Sequence, residues 1–410
     1  MDIREAQHLD INDPMKEYRD YFDIPENLQY LDGNSLGVVS RGVAQRVESV
    51  IQHQWKKDLI GSWNKHQWID APERIGNRIA PIIGAAKDTV TVSDTLSLNV
   101  VKALSAALNM RPERTVILSD TGNFPSDLHM MQGLIRTLGK PYVLKLVKPE
   151  DIESSIDETI ATVVLTHVDY RSGRIHDMPS ITQKTHQAGA ISVWDLAHSA
   201  GALPLDLGAL CVDFAIGCTY KYLNGGPGSP GFIYVRPDLI TEIWPLLSGW
   251  LGHDKPFSFD LDYIPATGIR RMRVGTPPVI AMAALDAALD VWDNVDMRQV
   301  RKKSVELSEL FIAEVEAKCG DYDIELLSPR ESAMRGSHVS FRAQHGYAIL
   351  RALAAENVVG DFRAPNVMRF GFTPLYTRFS DVVIAVEKLY GILQERRWDR
   401  QEYKQVSGVT

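Results

Sequence analysis

The chain contains no apolar run of about eighteen residues, the length needed to span a bilayer as a helix. It also lacks a long basic stretch: 44 Lys and Arg stand against 52 Asp and Glu, for a formal net charge of −8. That balance argues against nucleic acid or an anionic membrane as the main partner, while a small anion held by local positive groups stays possible. Cysteine is scarce. Cys211, Cys218 and Cys319 form neither a paired framework nor a Cys-x-x-Cys metal spacing, so no metal is expected. Cys211 and Cys218 have apolar neighbours in sequence and read as small core residues. The opening MDIREAQHLDIND is acidic, without the apolar centre of a signal peptide. No internal repeat or low-complexity tract is visible. A soluble, reduced, cytoplasmic protein is the expectation.

What the chain does have is a globular balance, 45% hydrophobic and 23% charged over 410 residues, enough for a large and a small domain. Between about residues 90 and 235, short β-branched runs alternate with helix-length segments. The expected strands are Thr89–Val92, Thr115–Ser119, Tyr142–Val147, Thr162–Thr166, Ile191–Asp195, Asp213–Gly217 and Gly231–Val235. Leu96–Leu108 and Ser126–Leu138 carry apolar residues at three- and four-residue intervals and read as helices. Strands that are apolar throughout and alternate with helices imply an α/β unit, with a mostly parallel sheet covered on both faces. Beyond residue 280 the pattern changes to long helices, Ile280–Val291 and Arg298–Ala317. Strands at His338–Arg342, Val358–Asp361 and Val367–Phe372 and a helix at Asp381–Glu395 follow, which suits a smaller α+β unit. The expected division is 1–59 as an N-terminal arm and helix packing with the small domain, 60–290 as the large domain and 291–410 as the small one.

Ligands in an open α/β sheet collect outside the carboxyl ends of the strands, so the residues after each strand carry the functional reading. ISVWD ends on Asp195, with His198 three residues later. A carboxylate there is costly unless a cation meets it. The pyridinium nitrogen of pyridoxal phosphate would be such a partner, and a helix N-cap is the bland alternative. The next strand runs into Thr219-Tyr220-Lys221 and the glycine-rich Asn224–Gly231. A lysine in that place is either a snorkelling surface residue or a group facing the same cofactor as Asp195. The order of the glycine-rich run is not that of a P-loop, which excludes nucleoside triphosphate binding. Leu96 and Ser97 open a helix whose free N–H groups favour an anion. Ser97 and Tyr220 would add hydroxyls to a phosphate seat, against a simple cap as the other reading of Ser97. Phe124 precedes a proline and is held extended, as a stacking ring or a core plug.

Taken together these segments resemble the fold-type-I enzymes that use pyridoxal phosphate, in the branch with class V aminotransferases and cysteine desulfurases. Within it the chain is most similar to the kynureninase family. The matching segments are YLDGNSLG (30–37), FPSD (124–127), DLAHSAG (195–201), TYKYLNGGPG (219–228), GWLGH (249–253), GTPP (275–278) and RFGFTPLY (369–376). They run in order through nearly the whole chain.

The resemblance implies roles by position. Lys221 would carry the cofactor and, once freed, move the substrate's α-proton. Asp195 would pair with the ring nitrogen, with His198 beside it and Phe124 stacked on the ring. Leu96, Ser97 and Tyr220 would hold the phosphate, Pro125 and Ser126 would line the same loop and Asp127 would support it. Thr166 would touch the cofactor from its strand end. Trp250 and Thr276 would reach the phosphate region from the neighbouring subunit of a homodimer, with the active site at the subunit interface. Arg369 would grip the substrate's α-carboxylate with a bidentate fork, and Tyr220 would serve as a protein acid. The implied reaction, a step of tryptophan catabolism, is hydrolysis of L-kynurenine to anthranilate and L-alanine. Animal-type kynureninases, which favour the 3-hydroxylated substrate, carry asparagine at the place of Thr276 and histidine near Ser62. Ser62 and Trp63 are therefore expected at the mouth of the site, and unsubstituted kynurenine is the expected preference. The rival readings are a cysteine desulfurase or aminotransferase of the same branch and, more distantly, a non-catalytic binding protein of that fold. Cys319, just after a long helix, is poorly placed to be a desulfurase thiol.

Overall fold

The computed structural model describes residues 1–405. Its strands are β1 (Gln29–Tyr30), β2 (Val90–Val92), β3 (Val116–Asp120), β4 (Val143–Val147), β5 (Ile160–Thr166), β6 (Ile191–Asp195), β7 (Phe214–Gly217), β8 (Phe232–Val235), β9 (Ile324–Leu326), β10 (His338–Ala343), β11 (Val358–Val359), β12 (Asp361–Arg363) and β13 (Val367–Gly371). Seven of them form one sheet in the order β2-β8-β7-β6-β5-β3-β4. Its neighbours are parallel except around β8, which runs antiparallel to both β7 and β2.

Side chains alternate across this sheet, so each strand feeds two apolar layers. Leu118, Val163, Leu165, Trp194 and Phe232 face one layer, packed with Ile75, Ile79, Ile181 and Leu285 of covering helices. Ile117, Val164, Val193, Phe214 and Ile233 face the other, against Val100 and Leu104 of the helix Leu96–Asn109 and Met131 and Leu134 of the helix Pro125–Leu138. Two-sided burial is why these strands read as unbroken apolar runs. A separate cluster fills the C-terminal part, where Phe311, Phe341, Phe370 and Phe372 pack between a four-stranded sheet, β12-β13-β10-β9, and the helices Met297–Cys319 and Phe379–Gln394.

The N-terminal segment has two attachments. Ala6 of the helix Ile3–Asn12 joins the C-terminal cluster, while the helix Gly42–Ser49 packs on the helix Val279–Ala288. Between them, residues 32–37 cross to the carboxyl edge of the large sheet. There the Gly37 N–H donates to the Tyr220 carbonyl at 2.8 Å. A Cβ at Gly37 would lie 2.2 Å from the Lys221 carbonyl oxygen, so only glycine permits this approach.

Three expectations need correction. The segment expected as one strand, Val358–Asp361, breaks at Gly360, where a Cβ would lie 2.7 Å from the Arg369 carbonyl. It gives β11, parallel to β1, and β12, antiparallel to β13. Cys211 is exposed rather than in the core: it occupies a turn with φ 53° and its carbonyl accepts from Arg236 at 3.2 Å. Cys218 and Cys319 are buried. Finally, the helix expected around Val43–Leu59 passes through a wider π turn at Val50–Trp55 and stops where Leu59 turns to φ 48°. No helix among the described residues is long and apolar enough to cross a membrane.

Candidate active site

Parallel pairing brings the carboxyl ends of β3, β5, β6 and β7 side by side, and the polar residues of the sequence reading gather there. Asp195, the last residue of β6, is 2% exposed. Its Oδ1 accepts from the Ala197 N–H at 2.7 Å and its Oδ2 from the Thr166 hydroxyl at 3.3 Å. Thr166 ends β5 directly opposite Asp195 and also donates to Asn123 Oδ1 at 2.6 Å. Asn123 receives the Phe124 N–H at 2.7 Å and donates to Ser119 at 2.9 Å, which pins the loop carrying Phe124. Nothing in DTGNFPSD marked this asparagine out beforehand; its role depends on a partner from another strand.

Asp127 was expected to support the loop of Pro125 and Ser126. It lies in the first turn of the helix Pro125–Leu138, 1% exposed, with Oδ2 lacking any hydrogen-bond partner. Burial, then the Asp195 charge, push its carboxyl well above the usual range. Burial likewise raises Asp195, opposed by the Lys221 ammonium. Two carboxyls are therefore sealed in without an ion-pair partner among the described residues. Such an arrangement is unfavourable alone and calls for a cation.

Lys221 follows β7 and is half-buried. Its Nζ lies 3.0 Å from His198 Nε2 and 5.8 Å from the centre of the Tyr220 ring. His198 also meets the Asn34 carbonyl at 3.1 Å, and its Nδ1 is buried without a partner. Burial, then the Lys221 and His338 charges, hold this imidazole far below its ordinary pKa, so it is neutral. His338 of β10 lies with its ring centre 5.5 Å away and is pushed down to about 3, by burial and then by Arg369.

The helices Leu96–Asn109 and Pro125–Leu138 start close together, with Ser97 Oγ 3.0 Å from Ser126 Oγ. Two N-termini and two hydroxyls converge there, with Thr95 capping the first helix. Tyr220 is half-buried, and burial raises its phenol above the ordinary value, so it stays protonated at neutral pH. Phe124 keeps a partly exposed face (39%) and meets Tyr170 edge-on at 5.1 Å.

The remaining sequence candidates divide. Arg369 is 1% exposed, and its Nε donates to Asp361 Oδ1 at 2.7 Å. Its Nη2 donates to Asp361 Oδ2 and to Ser35 at 3.0 Å, and its Nη1 to the Tyr170 carbonyl. The fork expected to be open for a carboxylate is thus largely engaged already. Asp361 and the adjacent Arg363 escaped the sequence reading because the segment was taken for plain strand. A charged Asp-x-Arg at its end was the available signal. Ser62 is fully buried and donates to the Gln54 carbonyl at 3.0 Å, so its hydroxyl offers nothing to a substrate, contrary to expectation. Trp63 packs edge-on to Trp68 at 5.6 Å. Trp250 and Thr276 are exposed and, among the described residues, no hydrogen bond or ring contact joins them to the Lys221 cluster.

A strand-end aspartate facing a lysine beyond the next strand, on a mostly parallel sheet, defines the fold class of the type-I enzymes that use pyridoxal phosphate. The cysteine desulfurase of Thermococcus onnurineus NA1 superposes with a TM-score of 0.76 at 19% identity, covering 93% of this chain and 98% of that one. A C-DES variant with glycine covalently linked to its PLP cofactor superposes with a TM-score of 0.75 at 18% identity, over 89% and 97% of the two chains. The family model for the kynureninase C-terminal domain matches residues 300–389. Over 411 residues the chain is 46% identical to a kynureninase of Burkholderia mallei (strain SAVP1), covering 99% of each. It is also 46% identical to a Pseudomonas fluorescens kynureninase over 407 residues, 98% of each. The chain belongs to the kynureninase family.

Proposed function

We propose that the chain is a pyridoxal-phosphate-dependent hydrolase that cleaves the Cβ–Cγ bond of L-kynurenine, giving anthranilate and L-alanine. The observation that carries this reading is the buried Asp195–Asp127 pair, which has no ion-pair partner among the described residues and feels the Lys221 charge. The full-length likeness to kynureninases supports the choice of substrate.

The residues present fit the cofactor. A protonated ring nitrogen would meet Asp195, with Asp127 adding negative charge; Ser97, Ser126, the two helix N-termini and Tyr220 would take the phosphate. Phe124 would cover one ring face, and His198, neutral and with an unused ring nitrogen, would lie at the ring edge. When bound, the cofactor supplies an electron sink for the pair released at the substrate's α-carbon. Lys221 would hold the cofactor and, with its amine free, would move the α-proton. Tyr220, protonated, would donate a proton to the three-carbon fragment that leaves as alanine. Water supplies the oxygen and proton that complete the two products. Incubation with L-kynurenine should yield anthranilate and alanine in equal amounts, whereas sulfide from cysteine and no anthranilate would favour the desulfurase reading.

The same reading includes a homodimer with its sites at the interface. Trp250 (44% exposed), Phe257 (64%) and Ile280 (43%) leave apolar surface open. A cavity of about 860 Å³, lined by residues including Trp55, Trp68, Pro277 and Ile280, adjoins the glycine-rich loop after Lys221. Trp250 and Thr276 would act across that interface on the partner's phosphate region. Three free cysteines suit a reducing compartment, in keeping with the cytoplasm.

Two expected outcomes follow from the substrate side. Arg369→Ala should raise KM for kynurenine by an amount corresponding to about 1.5–3 kcal/mol, the worth of one charge-assisted hydrogen bond, and should lower the melting temperature because Asp361 loses its main buried partner. An unaltered KM would place the carboxylate elsewhere. Unsubstituted L-kynurenine should exceed 3-hydroxykynurenine in kcat/KM by about tenfold or more. Thr276 has no amide to offer a ring hydroxyl, and the Ser62 hydroxyl is committed to Gln54. A preference for the hydroxylated compound would show that other residues read the ring.

A further inference from the structure

The hairpin β12–β13 sets Asp361 directly across from Arg369, with Arg363 two residues from Asp361 and so on the same face. Asp361 thereby serves two guanidinium groups. Arg369 takes its inner side, and Arg363 reaches its Oδ2 through Nη2 at 2.8 Å. Although burial pushes the Asp361 carboxyl up, the Arg369 hydrogen bonds and the two positive charges prevail and keep it ionised.

The donors can be counted. A guanidinium has five N–H bonds. Arg369 directs two at Asp361, one at Ser35 and one at the Tyr170 carbonyl, which leaves a single N–H on Nη1. A bidentate grip on a substrate carboxylate needs two parallel donors. Arg363 spends one N–H on Asp361 and one on the Phe362 carbonyl at 3.0 Å, leaving three. Its side chain is 32% exposed, where Arg369 and Asp361 show 1% and 2%. Its charge acts on Tyr220 and His338, and it feels that of Tyr170, whose ring meets Phe124.

Charge balance points the same way. The other carboxyl of the cluster, Asp32, is 8% exposed with an unpartnered Oδ1. Burial and the nearby Asp361 push it up to about 7, so near neutrality it is only partly ionised. Two guanidinium ions then share less than two full negative charges, and an incoming carboxylate would relieve the excess.

We propose that Arg363 is a second carboxylate-binding residue, sharing the substrate's α-carboxylate with the one N–H that Arg369 has left. This rests on the amino-acid substrate proposed above but not on the bond that is cleaved. The test titrates the pyridoxal-phosphate-loaded enzyme with L-alanine and with ethylamine, which differ by the carboxylate alone, and measures kcat and KM for kynurenine alongside. In Arg363→Gln the preference for alanine over ethylamine should shrink about 10- to 100-fold, with a matching rise in KM and little change in kcat. Arg363→Lys retains the charge beside Asp361, guarding against a folding defect, and should recover part of the preference. An undiminished preference in Arg363→Gln overturns the assignment, as does a loss confined to kcat. The alanine titration reads Arg363 even where wild-type protein releases no anthranilate, so a failure of the proposed reaction is seen separately.

Discussion

Lys221→Ala is expected to lower turnover of L-kynurenine by at least roughly a hundred- to ten-thousandfold, the range that one positioned proton-transfer group contributes, with the loss of a covalent attachment added to it. The argument is positional. Lys221 emerges from β7, next to the strand that ends in Asp195, and its amine sits 3.0 Å from the neutral His198 ring. Lys102 is a buried lysine near the sheet edge, but it is spent on Asp94, Ser93 and the Met272 carbonyl, so it is not free to substitute. Lys221 is half-buried and, among the described residues, has no carboxylate in salt-bridge range, so its removal should lower the melting temperature of the cofactor-free protein only modestly, through its lost attraction to Asp195 and Asp127. Borohydride treatment of the loaded wild-type protein, followed by peptide mapping, should place the fixed cofactor on the Lys221 peptide. A variant that kept normal turnover and a reducible cofactor linkage would move the role to another lysine.

Asp195→Asn should separate function from folding in the opposite sense. The amide preserves shape: its oxygen can still accept the Ala197 N–H and its NH2 can donate to the Thr166 oxygen, whose proton goes to Asn123, but it cannot balance a charged ring nitrogen. Removing a preorganised electrostatic contact of this kind costs roughly a hundred- to thousandfold in kcat. The cofactor-free protein, by contrast, should be as stable as wild type or more so at neutral pH. Burial and the Asp195 charge together hold Asp127 well above its ordinary range, so neutralising Asp195 relieves an unfavourable pair. A capping aspartate would behave the other way, losing stability on substitution while turnover stayed intact. Thermal melts of the cofactor-free proteins and kcat of the loaded ones distinguish the two.

The large sheet was legible because its strands are buried on both faces and lie between helices with clear apolar periodicity. Ile191–Asp195 was read to the residue, and the others to within about two. Lys221, Asp195, Thr166 and His198 could be placed near one another because strand ends in a parallel sheet share an edge, so order along the chain converts into position. The less legible features depend on partners remote in sequence. Asp127 could not be set against Asp195 without the tilt of the helix Pro125–Leu138. The engagement of Arg369 rests on a cross-strand register with Asp361 that β12 is too short to announce. Ser62 was expected at the mouth of the site from its correspondence with the animal-type histidine, whereas the turn after Leu59 folds it inward onto Gln54. Cys211 looked apolar from its neighbours but caps a turn.

The most direct test of the account is the fate of oxygen in the products. The protein, loaded with pyridoxal phosphate, is incubated with L-kynurenine in heavy-oxygen water and the products are weighed by mass spectrometry. Hydrolytic cleavage predicts anthranilate and L-alanine in equal amounts, with one labelled oxygen in the anthranilate carboxylate and none in alanine. Consumption of kynurenine to a keto acid without alanine, or no anthranilate at all from fully loaded protein, would contradict it.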